Sequence, residues 1–415
     1  MPANSFALKG ILASCALLAA ACGMNEQGNI SSVRQVLISD PVPKDGALSE
    51  LRAACGDGGI TETGAQEMLR LPYLQQVTAD SSRVLWTTAS IDATTIVVTE
   101  PDGTLVGEFP TVIDEDSERP EFDQYNTELT GLEPGQIYCY QIVGESDRWM
   151  ERTGFRTAPA TGDQSAQVRI AVIGDLGTQS SDQYLILEQL GEVRYDLVLV
   201  AGDLAYENGT LSDHENNFFS VYEQLSRSIP FFVISGNHDY ASDGAIFREV
   251  FSLPENGGPN GVERWYSFDW GPVHITALDT EKMDQTQADW LERDLAASEQ
   301  PWKLAFLHRP PFSSGWHGSN HKAQDLFTPS FVDHGVQLVL AGHDHNYERT
   351  HPIDGVTYAV IGSSGRGTRD VGSSNFTAYS EAVSHFGHIT IGADDLALNA
   401  IDASGQDFDH AKVAR

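Results

Sequence analysis

Five short motifs fall at the ends of successive apolar runs between residues 174 and 345, and each carries a side chain that binds hard or borderline metal ions. They are Gly174-Asp175-Leu176-Gly177, Gly202-Asp203-Leu204-Ala205-Tyr206, Gly236-Asn237-His238-Asp239, His308 after Lys303-Leu304-Ala305-Phe306-Leu307, and Gly342-His343-Asp344-His345. Asp175, Asp203 and Asn237 are separated by 28 and 34 residues, close to the length of a strand-helix-strand unit. The runs VRIAVIGD, DLVLVAGD, PFFVISGNHD, WKLAFLHR and VQLVLAGHDH all put their polar end last, so each ligand is expected to emerge at one edge of a parallel sheet, where α/β proteins collect ligands. Together they read as one two-metal hydrolytic centre. Carboxylate, amide, imidazole and phenolate without thiolate suit Fe, Zn or Mn and argue against a structural zinc site closed by Cys.

Each motif has a plainer reading. A lone GDxG or GNHD is an ordinary turn after a strand, with Gly supplying φ > 0 and Asp or Asn capping the next helix. Tyr206 alone is a packed aromatic, and His317 alone a solvated loop histidine. Five motifs in order favour the shared centre. His214, His274, His321, His334, His351, His385, His388 and His410 are read as structural or surface residues. Asp239 and Asp344, beside ligands, are expected to orient imidazoles. Arg309 and Arg349 suit either phosphate attraction or structural ion pairs.

The motif series resembles that of the purple acid phosphatases, a branch of the calcineurin-like metallophosphoesterases, which runs GDxG, GDxxY, GNH(D/E), VxxH, GHxH. Four motifs match as they stand; Ala305 replaces the Val of the fourth. The resemblance covers residues from about 66 to 400. It implies an α/β (α+β) two-sheet sandwich with flanking helices, preceded by a small all-β sandwich. It also implies that Asp175, Asp203, Tyr206 and His345 hold a ferric ion, and that Asp203, Asn237, His308 and His343 hold a divalent partner (Zn, Fe or Mn), with Asp203 bridging. Two ions about 3.5–4 Å apart clamp a phosphoryl oxygen and lower the pKa of bound water from ~16 toward ~7, giving hydroxide for in-line attack. His238 is the first candidate to protonate the leaving alkoxide, and His317, in the loop from Phe312, the second. The expected activity is hydrolysis of phosphomonoesters by a binuclear acid phosphatase. The alternatives are a phosphodiesterase or nucleotidase on the same metals, or a non-catalytic surface module for metal binding or adhesion.

Upstream, residues 66–160 show short alternating strands, including SRVLWTTA, TTIVVTE, QYNTELTGL and QIYCYQIVG, which predict a β-sandwich. The stretch from Leu129 to Gly135 before Tyr138 and Tyr140 resembles the corner of a fibronectin type III-like domain. Residues 22–65, with Pro41, Pro43, Gly46 and Gly56-Asp57-Gly58-Gly59, suit a tether. The catalytic domain is expected over 167–405, with helices in QYLILEQLGEV and QADWLERDLAAS, a β-rich ERWYSFDWGPVHITALDT, and TYAVIGSSG and HITIGADD completing a second sheet.

Residues 1–21 read as a signal peptide: Lys9, then an apolar core from Ile11 to Leu18, then Ala19-Ala20-Ala21. Cys22 is a candidate lipidated cysteine, although Ala19 stands where that signal carries Leu; simple cleavage is the alternative. The chain is therefore expected to be exported, as a periplasmic, lipid-anchored or secreted protein, with the membrane reached only through Cys22. Once Cys15 is removed, Cys55 and Cys139 are free to pair in an oxidising compartment. A formal charge of −34, from 59 acidic against 25 basic residues, disfavours nucleic acid as a stable partner. It also repels a phosphorylated small-molecule substrate at long range, so salt is expected to favour turnover.

Overall fold

The computed structural model describes residues 46–88, 94–113, 123–413 and 415. The expected signal peptide and Cys22 lie outside the described residues. Seven strands, β1 (Met68–Gln75), β2 (Ser81–Thr88), β3 (Thr95–Thr99), β4 (Leu105–Pro110), β5 (Asp123–Thr130), β6 (Ile137–Val143) and β7 (Arg148–Arg156), form two antiparallel sheets, ordered β1-β2-β5 and β4-β3-β6-β7. The turn before β6 is held by Tyr138, whose hydroxyl accepts the Glu133 N–H at 2.8 Å.

The remaining strands are β8 (Val168–Ile173), β9 (Leu197–Val200), β10 (Phe231–Val233), β11 (Tyr266–Trp270), β12 (Val273–Leu278), β13 (Trp302–Leu307), β14 (Leu338–Ala341), β15 (Tyr347–Thr350), β16 (Thr357–Ile361), β17 (Thr377–Glu381), β18 (His385–Ile391), β19 (Leu396–Asp402) and β20 (Asp407–Val413). They build a six-stranded sheet, β10-β9-β8-β18-β19-β20, and a seven-stranded sheet, β11-β12-β13-β14-β16-β15-β17. The five motif strands are thus split between sheets, where a single edge was expected. Parallel β8, β9 and β10 carry the first three motifs, and parallel β13 and β14 the last two. The strands expected to complete one second sheet also separate: β16 pairs with β14, and β18 pairs antiparallel with β8. Both are continuous buried apolar runs, and nothing in such a run specifies which neighbour it joins.

The tether reading of residues 22–65 fails from residue 46 onward. Ser49–Cys55 and Glu62–Glu67 are helices packed along β7, and Cys55 is disulfide-bonded to Cys139 on β6. Leu48, Leu51 and Cys55 recur at helical spacing and are buried, a signal that the surrounding Pro and Gly punctuation masked. Arg227 clamps the intervening turn by donating to the Gly58 carbonyl at 2.7 Å.

One apolar cluster runs without a break from Leu48 through Trp86, Tyr140 and Phe155 into Val172, Phe232 and Ile389. The smaller core lies on the seven-stranded sheet, where Trp290, Leu291, Phe327 and Phe331 from two helices cover Ala305 and Leu307. Ala305 is fully buried there, so the smaller side chain in the fourth motif leaves His308 at its strand end.

His274 on β12 is buried between two carboxylates, with Nδ1 2.8 Å from Asp269 and Nε2 3.0 Å from Asp294. Burial disfavours its charge, but the two carboxylates prevail and push its pKa up to about 9. A folded pKa above the ordinary ~6.5 gives stabilisation that is complete below pH 6.5 and lost as pH rises through 9, up to about 3 kcal/mol. Thermal midpoints measured from pH 6 to 10 should therefore fall more steeply for the wild type than for His274→Gln; parallel curves would remove this role.

Candidate metal centre

Four of the five motifs follow their strand with a glycine, at 174, 202, 236 and 342, and these positions leave room for side chains from neighbouring strands. A Cβ on Gly236 would stand 2.2 Å from Asp203 Oδ1, and one on Gly342 2.5 Å from Asp175 Oδ2. The ligand backbones are themselves unusual. Asp175, Asp203 and His343 adopt φ of 53°, 55° and 71°, the left-handed region that costs non-glycine residues on the order of 1–3 kcal/mol. Such strain persists where the surrounding structure over-determines it, typically at functional sites.

All seven expected ligands converge in two overlapping groups. In the first, the Tyr206 hydroxyl lies 3.0 Å from Asp175 Oδ1, 2.8 Å from Asp203 Oδ2 and 3.4 Å from His345 Nε2, and His345 Nε2 lies 3.4 Å from Asp175 Oδ1. In the second, His308 Nε2 lies 3.2 Å from Asn237 Oδ1, 3.2 Å from His343 Nδ1 and 3.5 Å from Asp203 Oδ1. Asp203 belongs to both, one oxygen to each. Ligand atoms of Asp175, Asp203 and His308 all lie within 4.8 Å of one another.

The donor set suits cations. Tyr206 has one phenolic proton and two carboxylate oxygens within reach, so the buried cluster holds more acceptors than its hydrogens satisfy. Burial, opposed by His308 and reinforced by Asp203, holds the Asp175 carboxyl well above the usual range. Burial acts the same way on Asp203, but His308 and the His238 N–H outweigh it and hold that carboxyl low. Burial and then the two carboxylates push the Tyr206 phenol well above its ordinary value. A positive ion among these groups relieves all three conflicts.

The imidazoles are aimed by their outer nitrogens. His308 Nδ1 donates to the Ala201 carbonyl at 2.8 Å and His345 Nδ1 to the Gly367 carbonyl at 3.2 Å, leaving both Nε2 lone pairs toward the cluster. His343 differs. Its Nε2 accepts from Arg309 Nη1 at 3.0 Å, so its proton sits on Nδ1 facing His308, and an ion binding there would displace it. Arg309 is in turn held bidentately by Glu281 at 2.7 and 2.8 Å. Arg349 is a structural ion pair with Asp409.

His238 and His317 stand at the mouth. The His238 N–H donates to Asp203 Oδ1 at 2.9 Å, and Nδ1 donates to the Glu207 carbonyl at 2.6 Å, which leaves Nε2 free to face a substrate. His317 stacks on His343, with centroids 4.0 Å apart; its Nδ1 donates to Asp344 at 3.0 Å and its Nε2 accepts from Arg369 at 3.3 Å. Burial lowers the pKa of His317, with Asp344 opposing.

Asp344 does orient an imidazole, but that of His317. Asp239 departs from the expectation: its carboxylate accepts the N–H groups of Leu204, Ala205 and Gly236 at 2.8–3.2 Å, tying two motif loops together. Glu348, missed by the sequence reading, is buried and braces the His317 loop through Ser314 Oγ at 2.8 Å. Its only signal was its place three residues beyond His345.

Residues 168–347 match the family model for calcineurin-like phosphoesterases. The chain carries a metallophosphoesterase domain. It is 31% identical over 260 residues to acid phosphatase type 7 of Homo sapiens, covering 54% of this chain and 56% of that protein. To purple acid phosphatase 15 of Arabidopsis thaliana it is 29% identical over 285 residues, covering 58% and 53%. The chain thus spans about half the length of the curated relatives it matches. Among solved structures, that of PhoD superposes with a TM-score of 0.64 over 83% of this chain and 88% of that one, at 13% identity, a likeness of fold alone. The match to the family model ends at Tyr347, so the loop holding Arg366 and Arg369 lies beyond the matched residues.

Proposed function

We propose that this protein is a binuclear metal-dependent acid phosphatase that hydrolyses phosphomonoesters. The observation that carries the reading is Asp203, whose two oxygens serve two separate donor groups, one of them built around a phenol. Asp175, Asp203, Tyr206 and His345 would hold Fe(III); Asp203, Asn237, His308 and His343 would hold Zn, Fe or Mn. When bound, such a pair polarises a phosphoryl oxygen and supplies a water of lowered pKa.

The chain's own residues do the rest. His238 is the proton donor, because its Nδ1 is committed to the Glu207 carbonyl and Nε2 is the nitrogen left for a leaving-group oxygen. His317 is the second candidate donor; with both nitrogens engaged, it reaches a substrate oxygen only after releasing Arg369. Asp239 and Asp344 keep the loops and ring in place.

The disulfide suits an oxidising compartment and supports export. Among the described residues no helix is long and apolar enough to cross a membrane. A fibronectin type III-like identity for the two N-terminal sheets is supported by the Tyr138 hydroxyl bonding back to the Glu133 N–H.

Metal analysis with a visible spectrum tests the centre. About one iron per chain and a visible band that vanishes in Tyr206→Phe is the expected result. A colourless protein with two zinc or manganese ions would keep a phosphoesterase and remove the ferric site. Faster turnover of diesters than monoesters would favour a phosphodiesterase, and bound metal without turnover would favour a non-catalytic module.

A further inference from the structure

The loop from Ser363 to Arg369 is fastened to the centre by its backbone. The Arg366 N–H donates to the Asp175 carbonyl at 2.7 Å, the Arg369 N–H donates to the His345 carbonyl at 2.8 Å, and the Gly367 carbonyl accepts from His345 Nδ1. Thr178 Oγ1 and Ser180 Oγ anchor the Gly365 carbonyl from the other side. Two guanidinium groups are thereby held on the rim. Arg366 lies over the Tyr206 ring, 4.7 Å from its centroid, and is paired with Glu207 at 2.5 Å. Arg369 reaches His317 Nε2, and among the described residues no carboxylate lies within ion-pair reach of it.

An uncompensated arginine has a consequence in a chain of charge −34. Each added negative charge on a substrate is repelled by the protein as a whole, so a second anionic group is tolerated only beside a local cation. A guanidinium presents paired N–H donors that match two phosphate oxygens, a geometry that a lysine does not reproduce. We propose that Arg369, assisted by Arg366, binds a second phosphate group carried next to the scissile one, and so sets a preference for diphosphate-bearing substrates over simple monoesters. This rests on the phosphatase reading for the site itself.

The test compares pyrophosphate with phenyl phosphate as substrates, and methylenebisphosphonate with methylphosphonate as non-hydrolysed ligands measured by calorimetry, on the metal-loaded protein. In Arg369→Gln the ratio of kcat/KM for pyrophosphate to that for phenyl phosphate should fall at least tenfold. The Kd for methylenebisphosphonate should rise about tenfold, and that for methylphosphonate less than threefold. Arg369→Lys should recover part of the ratio, and Arg366→Gln should lower it about threefold. Equal losses on both substrates would show that Arg369 only positions His317, and unchanged ratios would show no role; either overturns the proposal. If the wild type hydrolyses neither substrate, the phosphatase reading fails, while the two phosphonates still decide whether Arg369 reads the second phosphate.

Discussion

Asp203→Asn should lower kcat/KM for a phosphomonoester on the order of 10⁴-fold and reduce bound metal from two ions to one or none. The magnitude corresponds to about 5.5 kcal/mol of transition-state stabilisation, the scale seen when an essential member of a catalytic unit is removed. One oxygen of Asp203 lies against Tyr206 and the other against His308 and the His238 N–H. An amide of the same shape replaces one of these acceptors by an NH₂ donor, so one donor group faces a hydrogen where it needs a lone pair. It also removes the negative charge that both groups share. Metal content by mass spectrometry, kinetics and circular dichroism would be read together. A folded variant with both metals and activity within tenfold of wild type would take Asp203 out of the centre.

The largest effect on stability should come from the Cys55–Cys139 bond. The bonded residues are 84 apart in sequence, and closing a loop of that length in the unfolded chain is worth about 4.5 kcal/mol in the chain-entropy account. The double variant Cys55→Ser, Cys139→Ser should unfold on the order of 5–10 °C lower by calorimetry. It should also be cut faster by protease in the Gly56-Asp57-Gly58-Gly59 turn, because the short helix Ser49–Cys55 then depends on Leu48, Leu51 and the Glu50–Arg156 ion pair for its hold on β7. An unchanged midpoint would mean that this packing and the Arg227 bond to Gly58 already suffice.

Much of the candidate centre was legible in the chain because its grammar is local. An apolar run, a glycine and a ligand state a strand, a close approach and a donor within a short stretch, and Asp175, Asp203, Tyr206, Asn237, His343 and His345 follow that pattern, while His308 follows its apolar run without a glycine. Helices at Ser181–Glu192 and Gln285–Ala297 were legible for the same reason, since apolar residues recur at helical spacing. Residues 46–65 were misread because the apolar signal of a seven-residue helix is weaker than the glycines beside it.

What the sequence by itself determined is which side chains end strands, and hence the donor types available. The tertiary structure alone decided that three motifs ride on one sheet and two on another, because the backbone ladders that join strands look the same for any buried partner. It alone decided that Asp239 serves backbone N–H groups while Asp344 holds His317. It placed Arg369 at the mouth through a hydrogen bond to the His345 carbonyl, a backbone contact that no side-chain pattern encodes.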